Sequence, residues 1–236
     1  MARNSFWWSC TNSTLSLQLL IVCIWNYVNQ DFLPRLRDHV LAWILDQEFN
    51  GEDYDFTDEE RSCITFVNNR IYRHKVLRVN YTTYDMRRAQ DSMNPRTHAD
   101  IMVLSHENDE EKERHHPYWY ARIIGIFHAN VWHLGPTSKS PDVQKMEFLW
   151  VRWFGMDTKY RAGWKSRRLH RIGFTDGNQF GFLDPKEVIR GVHLLPAFAH
   201  GRTSAYLTPS IARQPSEKHE DWVYYYVGVY VNFLYI

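Results

Sequence analysis

Six cations and no acid stand in the thirteen residues KYRAGWKSRRLHR: Lys159, Arg161, Lys165, Arg167, Arg168 and Arg171, with Tyr160 and Trp164 between them. Cations at this density neutralise phosphates and interleaved rings stack on bases, so nucleic-acid contact is the chemistry this segment could do. The bland alternative is internal pairing, with Glu52, Asp53, Asp55, Asp58, Glu59 and Glu60 or the acids between Glu107 and Glu113 as partners. Such pairing would also explain a net charge of only +1. Another cationic set, Arg70, Arg73, Lys75 and Arg78, is split between the two faces of a strand by its spacing.

Aromatic strands offer a second candidate. A period of two places Tyr118 and Tyr120 on one face and Trp119 on the other, while Phe148, Trp150, Arg152 and Phe154 share a face of the partner segment. If Trp119 and Trp153 are buried with Leu149 and Val151, the opposite face displays Tyr118, Tyr120 and Trp150. Three such rings could enclose a methylated ammonium by cation–π attraction. Core packing is the competing expectation, because a barrel this aromatic needs rings inside.

Catalytic constellations are not legible. Twelve histidines include no His-Glu-x-x-His pair, and the chain has no Gly-x-Ser-x-Gly or Gly-x-x-x-x-Gly-Lys motif. His115 and His116 end a charged segment, and His128 and His133 are five residues apart near a strand end. Asp85, Asp91 and Asp100 could be grouped as an acidic cluster for two-metal cleavage, but they fall on different segments and read better as turn and cap carboxylates. No catalytic residue, metal ligand or cofactor is expected. Cys10, Cys23 and Cys63 are odd in number and widely spaced, which indicates neither a disulfide framework nor a thiolate zinc site and suits an intracellular, reducing compartment.

The elements that must position these groups follow from periodicity. Aromatics make up 16% of the 236 residues, so the chain can bury a sizeable core and is unlike a disordered one. Leu33, Leu36, Val40, Leu41, Ile44, Leu45 and Phe49 recur at helical spacing, with Pro34 near the start and Gly51 past the end, predicting an amphipathic helix over 33–49. Thr57 and Glu60 stand at capping-box spacing before a short helical turn. Strands are expected at 64–66, 71–84, 101–104 and, most strongly, at 118–131 and 146–154, the last two as an antiparallel pair. Further strands fit near 180–183 and 192–195, with a helical turn at 185–189 between them. The apolar stretch 15–25 faintly resembles a signal-peptide core but lacks a cleavage site and is too short to span a membrane, so no membrane partner is expected. With the apolar end 223–236 it is expected to pack on the body or on a partner. The fold class is mainly β with an α-helical N-terminal extension. Its parts are an atypical apolar segment 1–30, a helical extension and acidic connector 31–62, a small antiparallel β-barrel 63–198 and an irregular tail 199–236.

Two resemblances rest on short strings. "ARI" at 121–123, LWVRWF at 149–154, GFLD at 181–184 and VHLLP at 192–196 resemble the bromo-adjacent homology domain, a small β-barrel that reads chromatin and other proteins. NRIYRHKVLRVNYTTYDMRRAQDSMNPRTHADIMVLS, MEFLWVRWFG, SIARQPSE and DWVYYYV look like the C-terminal region of Plavaka-type transposase-derived fungal proteins, over residues 31–227. The transposase domain of those proteins lies upstream and is absent here, and the two ends, 1–30 and 228–236, depart from the pattern. The resemblance implies a non-enzymatic, transposon-derived binding module with a protein partner, histone or chromatin-associated, in an intracellular setting that includes the nucleus. An accessory nucleic-acid-binding fragment of a transposase or nuclease, and a structural remnant without activity, are the alternatives.

Overall fold

The computed structural model describes residues 6–8, 13–16, 32–47, 56–82, 86–105, 116–135, 138, 140–174, 180–207, 212–213 and 217–228. The expected terminal packing of 17–25 and 229–236 lies outside them. Helix α1, Phe32–Ile44, is shorter than its apolar periodicity suggests. It ends where Asp46 takes a left-handed φ of 61°, with Asp46 N–H bonded to Trp43 O (3.2 Å) and Gln47 N–H to Ala42 O (2.9 Å). This is a Schellman closure in which an aspartate stands where glycine is usual, and the expected glycine stop at Gly51 is not used. Helix α2, Asp58–Ser62, begins in the expected capping box: Glu60 N–H donates to Thr57 Oγ1, and Thr57 N–H to the Glu60 carboxylate at 2.8 Å. Arg61 of α2 grips the buried Asp38 of α1 with two bonds, at 2.7 and 3.0 Å. Among the described residues no helix is long and apolar enough to cross a membrane.

Strands β1 (Phe6–Trp8), β2 (Ser13–Ser16), β3 (Ile64–Phe66), β4 (Arg70–His74), β5 (Leu77–Thr82), β6 (Arg88–Met93) and β7 (Asp100–Leu104) lead into the long pair β8 (Tyr118–His133) and β9 (Gln144–Met156). After them come β10 (Arg171–Gly173), β11 (Phe180–Leu183), β12 (Val188–Gly191), β13 (Leu194–Pro196), β14 (Arg202–Thr203), β15 (Asp221–Trp222) and β16 (Tyr225–Val227). β8 and β9 pair antiparallel, as expected, and form the spine of a sheet ordered β12-β7-β8-β9-β10-β16-β13. β3 and β4 join the far end of β8, β2 joins β4, and β11 joins β9. The protein is mainly β, with a curled antiparallel half-barrel sheet and a helix near the N-terminus; the barrel is open rather than closed. β1, β5 and β6 form a separate three-stranded sheet.

Both faces of the spine are covered. A register shift between Ile123 and Gly125 lets β8 kink, and a Cβ on Gly125 would overlap the Phe127 ring. On one face α1 lays Phe32, Leu36, Val40 and Leu41 on Phe127, Phe148 and Trp150. On the other, Leu77 and Val79 of β5 pack on Ile123, Ile126, Leu149 and Val151. The strand expected over 71–84 is therefore two strands in two sheets. Ile71 serves the helix-side core and Leu77 and Val79 the opposite one, and an unbroken period of two cannot serve both sides in that order.

The segment expected to be an irregular tail supplies β16, which lies between β10 and β13. Charge brings it there. Arg122 and Arg152 are direct cross-strand partners on β8 and β9, and both are buried. Arg122 bonds Asp100 of β7 at 2.7 and 3.2 Å and also reaches the Glu217 carboxylate. Arg152 makes a bidentate pair with Asp221 (2.9 and 3.0 Å), which Arg213 grips as well (3.2 and 3.0 Å). Phe174 lies 3.5 Å from the Arg152 guanidinium carbon, and Tyr225 donates its hydroxyl hydrogen to Glu217 at 3.3 Å. Burial pushes the Asp221 carboxyl up, but the hydrogen bonds and charges of Arg152 and Arg213 overcome this and hold it below its ordinary value.

Replacing Asp221 removes the carboxylate that the buried Arg152 and Arg213 both grip. Asp221→Asn should therefore destabilise the protein by about 3–5 kcal/mol, read as a lowered midpoint in urea. Glu220→Gln, its neighbour on the exposed side, should leave the midpoint unchanged.

Candidate nucleic-acid interface

The basic segment forms the loop between β9 and β10, and its own backbone closes it. Asp157 N–H bonds Arg171 O at the base (3.0 Å), and Gly163 and Arg168 exchange N–H···O bonds across the tip at 2.9 and 3.4 Å. Ser166 Oγ caps Gly163 O at 2.9 Å, and Lys159 N–H donates to the Asp157 carboxylate at 3.1 Å. Gly163, at φ +100°, and Arg167, at φ 53°, make the turns.

On this frame Lys159, Arg161, Lys165, Arg167 and Arg168 are exposed, and among the described residues none of them forms an ion pair. Arg168 lies 5.8 Å from the Tyr160 ring. Arg171 is different. It donates to the Asp157 carboxylate at 2.8 and 2.5 Å and to His200 Nε2 at 2.8 Å, and its guanidinium sits between Tyr160 (4.2 Å) and Tyr224 (4.3 Å). Five of the six cations are therefore presented to solvent, and the sixth fastens the loop to β16. Pairing with the acids at 107–113 and at 52–55 lies outside the described residues, as does the side chain of Trp164. Asp58 pairs with Arg61 in place of the basic loop.

The aromatic face is a correction. Tyr120 is 4% exposed and Trp150 3%, while Tyr118 is half-buried. Tyr120 stands opposite Phe154 and Trp150 opposite Gly125, so the two rings lie apart along the strand pair. Trp150 packs edge-on against Phe32 of α1 at 5.6 Å, and Tyr120 lies in the cluster of Phe154, Ile172 and Tyr225. The helix and β16, far away in sequence, cover the face that would have held the cage. Trp119 and Trp153 are half-buried, pack against the cluster of Leu149 and Val151, and meet edge-on at 6.2 Å.

Two of the three acids weighed as a cluster are occupied. Asp91 accepts from Arg190 Nε (3.2 Å) and Gly191 N–H (3.1 Å), and Asp100 holds Arg122; both stand on strands rather than at turns or caps. Asp85 and His115 lie outside the described residues. Among the described residues no three His, Cys, Asp or Glu side chains converge to hold a metal. His116 Nδ1 turns to the backbone of Tyr118.

His128 has a partner that sequence spacing does not suggest: His74 on β4, with Nε2 2.7 Å from His128 Nδ1, and Tyr72 stacked on His128 at 4.6 Å. Burial, then the charges of His74 and Lys145, push His128 down to about 4, with Glu147 opposing; His74 is lowered too, by burial first. Both rings are neutral when folded near neutral pH, whereas the unfolded chain takes up protons near 6.5. The folded protein should therefore lose stability as pH falls from about 6.5 to about 4. A smaller drop in thermal midpoint across that window for His128→Gln than for the wild type would identify this pair as a source.

In comparisons with known proteins, the chain matches no family model, no curated protein and no solved structure, so the geometry of the loop stands as its own guide to function.

Proposed function

We propose that the protein is a non-enzymatic binding module that contacts the phosphate backbone of nucleic acid through the β9–β10 loop. One observation carries this reading: a loop held by its own hydrogen bonds presents five exposed cations, with no ion-pair partner among the described residues. A preformed cationic loop binds phosphates without first ordering itself, and the released counterions supply the drive. A chromatin-associated setting, suggested by the resemblance to the bromo-adjacent homology and Plavaka-type proteins, would place such a loop next to DNA. The aromatic cage that would have favoured a methylated protein tail is buried.

The test is salt dependence. Changing Lys165, Arg167 and Arg168 together to Ala removes three exposed cations that form no ion pair among the described residues. The slope of log affinity against log salt should flatten by about 2–3 units, for every DNA sequence tested, with an unchanged thermal midpoint. An unaltered slope in a variant that still binds DNA would place the contact elsewhere, with Arg70 and Arg73 of β4 and Arg78 of β5 as the next to examine.

A further inference from the structure

The chain from 221 to 227 alternates. Asp221, Tyr225 and Val227 are buried, whereas Trp222, Tyr224 and Tyr226 stay half-exposed, Trp222 with part of its ring on the cluster of Tyr225 and Val227. Around them stand the rings and cations of neighbouring segments. Phe198 is 73% exposed and meets Trp222 edge-on at 5.1 Å, and the Arg202 guanidinium carbon lies over the Trp222 ring at 4.3 Å. Arg171 joins Tyr224 to Tyr160, and Tyr160 lies 6.1 Å from Tyr226. Leu195, paired opposite Tyr226, is 43% exposed. This row of rings runs directly into the basic loop, because Arg171 at the loop's base is the cross-strand partner of Tyr226.

We infer that the outer face of β15–β16 is a base-stacking platform and that the nucleic acid bound is single-stranded. The inference rests on the phosphate-binding reading above and specifies its ligand. Rings set beside a cationic track match a strand whose bases are splayed out, since every base offers a π-face and every nucleotide a phosphate. A duplex hides those faces within its stack and would use only the loop. Between Tyr160 and Tyr224 a methylated ammonium finds no room, because the Arg171 guanidinium already sits there and Asp157 retains it. The stacked arginines also keep the rings upright, so the platform is formed before ligand arrives.

The experiment compares an oligothymidylate of about 16 nucleotides with a duplex of the same length, both titrated against the full chain at about 50 mM salt. The single strand should bind more tightly and quench tryptophan fluorescence. Phe198→Ser and Tyr226→Thr should each weaken single-strand binding by about fivefold or more while leaving duplex affinity unchanged. Phe198 lies outside the core, so its variant keeps the test valid should Tyr226→Thr misfold and lose both ligands. Equal affinity for the two ligands, or ring variants that bind the single strand as the wild type does, would overturn the platform and leave the phosphate reading intact. Absence of binding to either ligand would overturn both.

Discussion

Arg122 and Arg152 face each other across the central strand pair, inside the protein, and the rest of the architecture answers that placement. Two unpaired guanidiniums in such a position would cost several kcal/mol each. Three carboxylates and a third arginine complete a buried set in which three positive groups meet three negative ones: Arg122, Arg152 and Arg213 with Asp100, Glu217 and Asp221. Only Asp100 comes from a neighbouring strand. The other acids arrive from nearly seventy or more residues away, so the C-terminal segment must dock for the spine to be electrically satisfied. Aromatic faces of Phe174, Phe154 and Tyr225 line the same space and share the solvation of the guanidiniums.

Docking of that segment has consequences on its other side. Once Asp221 and Tyr225 are drawn inward, a period of two turns Trp222, Tyr224 and Tyr226 outward, and Tyr224 then takes one face of Arg171. Arg171, also gripped by Asp157, anchors the basic loop. The buried ion network, the outward ring row and the cationic loop are therefore successive layers of one arrangement. The buried network is balanced within itself, three arginines against three acids, and the five exposed cations of the loop form a local basic patch on a chain of net charge +1.

The strings that carried the family resemblances contain much of this network. Arg122 stands in "ARI", Arg152 in VRWF, Arg213 and Glu217 in SIARQPSE, and Asp221 and Tyr225 in DWVYYYV. Read along the chain they are scattered charges in aromatic company, with nothing to say that they meet. The clue available was the presence of arginine at mid-strand positions flanked on both sides by apolar residues, where an unpaired cation is not tolerated.

Local pattern determined the elements that depend on near neighbours. The β8–β9 pairing follows from two long β-prone segments, the capping box from Thr57 and Glu60, and α1 from its apolar stripe, although Asp46 ended the helix earlier than a glycine rule suggests. The exposure of five loop cations was compatible with the sequence, which equally allowed their pairing. Tertiary structure alone decided which sheet face would be covered: Tyr120 and Trp150 were buried by β16 and α1, segments distant along the chain on either side. It also decided that Tyr225–Val227 joins the sheet between β10 and β13. Periodicity reports that a residue has two sides to choose between, while the choice is made by whichever distant segment gains most by covering one of them, and here that gain is the neutralisation of Arg122 and Arg152.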